Sequence, residues 1–242
     1  SGALDEFDFS ASGTGLVPGA NECDPVESEK ACFTLVGGDY QGFEVDPGSD
    51  VDPETYTVTE TPASGWDLVE LDCVVSSAPE DIIEGVGNSV AVPLKGGDVG
   101  VCVFENQELA TLTIDKVTDV SSGTEFEFTA SGTPNPLDPP DPFILVGGGA
   151  PQTYTGIPAG NAITITESVP DVAPDRWSLS DISCIGTSSP TYDVPNGEVS
   201  FTIGAGEDVE CTYTDLKVPE ATVEIVKAAD PADATSFDFT AS

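Results

Sequence analysis

The chain has 242 residues, with 44 acidic side chains against six basic ones and a formal net charge of -38. Phosphate binding needs a basic surface, so nucleic acid is excluded as a partner, and an anionic membrane surface is disfavoured for the same reason. Histidine and methionine are absent, glycine and proline number 25 and 20, and no apolar run is long enough to span a bilayer.

Short alternating runs between Gly, Pro, Asn and Asp clusters predict an all-β chain. Taken in order, the elements repeat with a period of about 110 to 120 residues. Phe7-Asp-Phe-Ser-Ala-Ser returns as Phe126-Glu-Phe-Thr-Ala-Ser and again as Phe237-Asp-Phe-Thr-Ala-Ser. Glu60, Trp66 and Cys73 return as Glu167, Trp177 and Cys184. Cys102-Val-Phe-Glu-Asn106 returns as Cys211-Thr-Tyr-Thr-Asp215, and Thr111-Leu-Thr-Ile-Asp-Lys116 returns as Thr222-Val-Glu-Ile-Val-Lys227. The expected organisation is a first β-sandwich over 1–107 without its lysine strand and a complete second one over 108–216. Residues 217–242 would hold the first strands of a third repeat or a donor strand. Only a few residues separate Asn106 from Leu112, so the units join end to end with little slack.

Side chains alternate across a strand. Lys116 therefore shares the apolar face of Leu112 and Ile114, and Lys227 that of Val223 and Ile225. Glu60 shares a face with Tyr56 and Val58, and Glu167 with Ile163 and Ile165. Asn106 and Asp215 likewise lie on the core parity of their strands, two residues beyond Phe104 and Tyr213. Buried polar groups without partners are costly, so the lysine, the glutamate and the Asn or Asp of one unit should meet.

The six cysteines follow the same logic. Cys73 and Cys102 occupy the places of Cys184 and Cys211, on core-facing parity, so each pair is expected to bridge within its unit. Cys23 and Cys32 then pair by elimination. There is no Cys-x-x-Cys, and an even cysteine count in an all-β chain fits an oxidising, extracellular compartment.

Two loops stand out. Pro134 to Pro142 is proline-rich and reads as a loop or sheet edge. Asp46, Asp50, Asp52 and Glu54 crowd oxygen ligands into one segment, a candidate calcium site without EF-hand spacing; no other cofactor is expected.

Tyr56-Thr-Val-Thr-Glu-Thr-Pro-Ala-Ser-Gly-Trp66 resembles the E-box of Gram-positive pilins, and Phe104-Glu-Asn106 resembles their closing strand. Both units and the tail are similar to collagen-adhesin B-type, prealbumin-like (SpaA-like pilin) domains of prokaryotic surface proteins. The resemblance implies tandem immunoglobulin-like sandwiches, end to end, in an extracellular stalk, fibre or pilus-like filament. It also implies an isopeptide bond between the first-strand lysine and the last-strand Asn or Asp, promoted by the glutamate. Carried over, that is Lys116 to Asp215 with Glu167 in the second unit. The first unit offers Asn106 and Glu60 to a lysine outside residues 1–242: that of a preceding strand, if 1–242 is a window of a longer array, or Lys227 of a neighbouring chain, if the tail donates its strand. Without that bond the three groups would form a buried ion cluster. The expected partners are neighbouring copies of the chain, with no membrane insertion in this segment. Two other functions remain open: an adhesin that binds a host protein or glycan through its variable loops, and an accessory binding module of a secreted enzyme. No enzyme motif is present; any chemistry would be self-directed and single-turnover.

Overall fold

The computed structural model describes residues 5–16, 29–45, 52–133, 137, 142–172, 175–228, 236, 238 and 240. Seven strands lie in the first half: β1 (Glu6–Ser12), β2 (Lys30–Val36), β3 (Glu54–Glu60), β4 (Trp66–Val75), β5 (Ala78–Glu84), β6 (Ser89–Leu94) and β7 (Gly100–Glu108). Ten follow: β8 (Ala110–Thr118), β9 (Glu125–Thr133), β10 (Phe143–Val146), β11 (Gln152–Ile157), β12 (Ala162–Ser168), β13 (Asp171–Val172), β14 (Asp175–Ile185), β15 (Thr191–Asp193), β16 (Glu198–Thr202) and β17 (Asp208–Lys217). Among the described residues the structure is all-β apart from one 3-10 turn, Val194–Asn196. Among the described residues no helix is long and apolar enough to cross a membrane.

The strands form four sheets, and none mixes strands from the two halves: β2-β1-β3-β6 and β5-β4-β7, then β10-β9-β12-β16-β15 and β11-β8-β17-β14-β13. In β8 alternation puts Ala110, Leu112, Ile114 and Lys116 inward and buried. The same period buries Ile163, Ile165 and Glu167 of β12 and Val209, Cys211, Tyr213 and Asp215 of β17. Phe126 and Phe128 of β9 complete one continuous core between the two five-stranded sheets. The first half has smaller, separate clusters around Leu71 and Val90 and around Ala11 and Tyr56. Both tryptophans serve packing, as their repeat positions imply: Phe7 meets Trp66 edge-on at 5.3 Å, and Phe126 meets Trp177 at 5.4 Å.

The first and last strands of the second sandwich, β8 and β17, are parallel neighbours, with Thr111 opposite Asp208 and Thr118 opposite Asp215. At about 3.3 Å per residue, the chain enters at Ala110 and leaves at Lys217 roughly 30 Å away, at opposite ends of the pair. At the entry, one residue, Leu109, separates β7 from β8. Its N–H donates to the Gly65 carbonyl at 2.8 Å, and the Gly206 N–H donates to the Glu108 carbonyl at 2.9 Å, so both sandwiches hold the junction.

The tail differs from its sequence pattern. Thr222–Lys227 repeats β8 in sequence, yet it lies in no strand, with Val223 87% and Ile225 62% exposed. A strand needs a neighbour to take its backbone hydrogen bonds, and among the described residues no strand pairs with this segment.

Cys73 faces Cys102 across β4 and β7, and Cys184 faces Cys211 across β14 and β17; both pairs are bridged, with Cα–Cα distances of 4.0 and 4.1 Å. Each bridge ties neighbouring strands of one sheet and does not cross the core. The pairing proposed for Cys23 and Cys32 involves Cys23, outside the described residues. The bridges close loops with sequence separations of 29 and 27 residues. Chain entropy then predicts that replacing Cys184 and Cys211 together by Ala lowers unfolding free energy in urea by about 3 to 4 kcal/mol.

Candidate functional site

Three buried ionisable side chains converge in the second sandwich. Lys116 comes from β8 and Asp215 from the adjacent β17, while Glu167 reaches across from β12 in the facing sheet. Lys116 Nζ lies 2.5 Å from Asp215 Oδ2 and 2.7 Å from Glu167 Oε1. All three are almost fully enclosed, at 1%, 0% and 4% exposure. The Phe126 ring closes one side, its centroid 4.3 Å from Nζ. These are the three residues that the alternation of their strands and the pilin resemblance assembled.

The site is electrostatically unbalanced. One ammonium faces two carboxyl groups in a core where unpaired charge costs several kcal/mol. Asp215 Oδ1 and Glu167 Oε2 find no hydrogen-bond donor among the described residues. Burial pushes the Glu167 carboxyl up to about 7, against the pull of the Lys116 ammonium. A protonated Glu167 beside Lys116 and Asp215 restores neutrality and places an acidic proton next to the Asp215 carboxyl.

The first sandwich repeats the arrangement without a lysine. Asn106 Nδ2 donates to Glu60 Oε1 at 2.7 Å. Glu60 is buried, and this burial raises its carboxyl above the usual range, against the hydrogen bond from Asn106. Asn106 is only half-buried, whereas its counterpart Asp215 is enclosed. Lys227 is exposed, and its Nζ donates to the Ala228 carbonyl at 2.6 Å.

Sequence reasoning missed the groups that hold the two glutamates. The Glu167 N–H donates to the Gly197 carbonyl and the Glu60 N–H to the Asn88 carbonyl, both at 2.9 Å. Asn88 also returns a bond from its Nδ2 to the Glu60 carbonyl, at 2.5 Å. The signal was present: Gly87-Asn88 and Asn196-Gly197 are turn dipeptides at matching repeat positions. Gly197 has φ +69°, and a Cβ there would sit 2.6 Å from the Glu167 carbonyl oxygen. Only glycine suits both constraints.

Of the calcium candidates, Asp46 and Asp50 lie outside the described residues, and Asp52 and Glu54 are exposed. Among the described residues no group of three or more acidic, Cys or His side chains is placed to hold a metal. The proline-rich loop falls largely outside the described residues.

Two outcomes follow from this geometry. Gly197→Ala is expected to cost about 1 to 3 kcal/mol in chemical unfolding, through positive-φ strain and the displaced Glu167 backbone. Glu167 titrates higher in the folded chain than in the unfolded one, so the folded chain holds an extra proton between roughly 4.5 and 7. Stability therefore falls as pH rises through that window. Glu167→Gln should remove up to about 3 kcal/mol of that fall, measured by urea unfolding at pH 4.5 and pH 8.

Residues 112–217 match the family model described as a prealbumin-like fold domain. Among solved structures, the chain is similar to a bacterial adhesin from Mobiluncus mulieris containing intramolecular disulfide, isopeptide and ester bond cross-links. That match has 13% identity, 88% of this chain and 85% of that one covered, and a TM-score of 0.41. It is also similar to the major pilin protein of Streptococcus pyogenes, at 15% identity, 89% and 90% coverage and a TM-score of 0.30. No curated protein matches the chain. Over residues 112–217, the second sandwich, the chain is thus similar to prealbumin-like fold domains.

Proposed function

We propose that the chain is an extracellular structural protein of a pilus or surface stalk, whose second sandwich seals itself with an amide between Lys116 and Asp215. One observation carries this reading: Lys116 Nζ sits 2.5 Å from Asp215 Oδ2 and 2.7 Å from Glu167 Oε1 in a closed core, on the strands where the chain enters and leaves.

The reaction is self-directed. A proton passes from Lys116 through Glu167 to the Asp215 carboxyl, leaving Nζ as a free amine. Nζ adds to Asp215 Cγ, and the protonated carboxyl of Glu167 stabilises the charge that builds on the carbonyl oxygen. The C–N bond forms, a C–O bond breaks, and one water leaves. Held side chains supply proximity that free reactants lack. The product is neutral, its new N–H can donate to Glu167, and the charge imbalance is gone. A cleft of about 430 Å3, lined by Glu167, Trp177, Val194 and Gly197, borders the glutamate side of the triad.

The mechanical consequence follows from topology. Because β8 and β17 are parallel neighbours, tension between Ala110 and Lys217 shears their ladder, loading its hydrogen bonds together. An amide between Lys116 and Asp215 would carry that tension directly from strand to strand, leaving residues 117–214 outside the load path. It would also close a loop with a sequence separation of 99 residues, worth about 4 to 5 kcal/mol of chain entropy.

Intact mass after full reduction and denaturation, followed by peptide mapping, tests the reading. The expected result is a loss of one water localised to Lys116 and Asp215, absent from Lys116→Ala and Glu167→Ala. An unmodified mass overturns the amide and leaves a disulfide-tied sandwich with a buried ion triad.

A further inference from the structure

The turn that holds Glu167 carries a chemically labile pair. Asn196 ends the 3-10 turn Val194–Asn196, and Gly197 follows it at φ +69°. Of the chain's asparagines, Asn196 alone precedes a glycine. Glycine has no Cβ to shield its nitrogen, so the Asn196 carboxamide can be approached by the main chain beside it. Asn196 is exposed, while Gly197 behind it is buried, and both line the cleft that borders Glu167. Asn196 Nδ2 donates to Asp193 Oδ2 at 2.7 Å, which puts a carboxylate on the nitrogen that would leave. Two longer bonds close the turn: the Asn196 N–H donates to Asp193 Oδ1 at 3.3 Å, and the Gly197 N–H to the Val194 carbonyl at 3.1 Å. A 3-10 turn this short opens locally at little cost.

The matching turn of the first sandwich lacks this chemistry. There glycine comes before asparagine, in Gly87-Asn88-Ser89. The nitrogen after Asn88 belongs to a residue with a side chain, and Asn88 Nδ2 is tied inward to the Glu60 carbonyl at 2.5 Å. Both turns support a buried glutamate, but one of them has the reactive order.

We infer that Asn196 is a self-modification site, where the exposed carboxamide is lost through a ring formed with the Gly197 nitrogen and the change is passed to Glu167. The Gly197 nitrogen adds to Asn196 Cγ. The N–Cγ bond forms, the Cγ–Nδ2 bond breaks, and ammonia leaves with the proton that the Gly197 nitrogen gives up, relayed by the Asp193 carboxylate. Water then opens the cyclic imide. Opening at Cγ gives aspartate. Opening at the main-chain carbonyl gives isoaspartate, in which the chain runs through Cβ and Cγ and is longer by one carbon.

Gly197 has no slack to absorb that carbon. Its carbonyl accepts the Glu167 N–H at 2.9 Å, and a Cβ on it would lie 2.6 Å from the Glu167 carbonyl oxygen. The next residue, Glu198, is already paired with Thr166 in the sheet. A longer backbone at 196 therefore shifts Gly197 against β12, and the Glu167 N–H loses its partner. Aspartate adds a charge at an exposed position but keeps the backbone, so it leaves that bond in place. Surface chemistry at one asparagine thus reaches the strand that holds a carboxyl beside Lys116 and Asp215, whether or not those two are joined.

Incubation of the full chain in mildly alkaline oxygen-18 water, followed by peptide mapping, tests the reaction. The expected result is a gain of three mass units on the peptide carrying Asn196, ahead of every other asparagine, with aspartate and isoaspartate both present. Earlier conversion of another asparagine, or aspartate without isoaspartate, overturns it. Asn196→Gln is expected to take up no label at this position in the same time, and equal uptake overturns ring closure. Hydrogen exchange of the aged chain then reads the link to Glu167. The fraction of molecules whose Glu167 amide exchanges about tenfold or more faster is expected to equal the isoaspartate fraction. Asn196→Asp, freshly prepared, is expected to exchange there at the unconverted rate. An unchanged Glu167 amide in the aged chain, or the same acceleration in Asn196→Asp, overturns the link.

Discussion

A lysine held between two carboxyl groups in a dry core sets the terms for the second sandwich. Lys116 lies on the inward face of β8, in line with Ala110, Leu112 and Ile114. An ammonium there is tolerable only if partners arrive from other strands. Asp215 comes from the parallel neighbour and Glu167 from the facing sheet. The triad therefore needs both sheets closed and the first and last strands in register, so it reports a fully assembled sandwich. Its excess negative charge leaves proton sharing or amide formation as the ways to neutrality, and the raised Glu167 carboxyl is the first step on either path.

The same constraint explains why the two halves differ. In the second, a central strand pairs on both sides, and a single core runs from Phe126 to Tyr213. In the first, β7 pairs only with β4 among the described residues. The inward face of β7 is half-buried, residues 39–44 belong to no strand, and the buried residues group into two small clusters. Glu60 and Asn106 bond to each other in place of a lysine. The disulfide between Cys73 and Cys102 holds β7 to β4.

Surface composition complements this interior. With 44 acidic side chains and six basic ones, copies repel one another at long range, and salt screens that repulsion within about 10 Å at moderate ionic strength.

Much of this was legible in the chain itself. Strand alternation put Lys116, Glu167 and Asp215 on core faces, and the internal repeat paired Cys73 with Cys102 and Cys184 with Cys211. Tyr56 to Trp66 and the closing Phe104-Glu-Asn106 identified the fold. These are local signals: side-chain period, repeat spacing and motif do not depend on which strands become neighbours. Strand neighbourhood was decided only by the tertiary structure. It made β8 and β17 parallel partners, set each disulfide within one sheet, and placed the Gly197 and Asn88 carbonyls on the two glutamate backbones. It also left Thr222–Lys227 outside every sheet although its sequence reads as a strand. The reason is physical: a strand is completed by hydrogen bonds to another segment, and no sequence window contains its own partner.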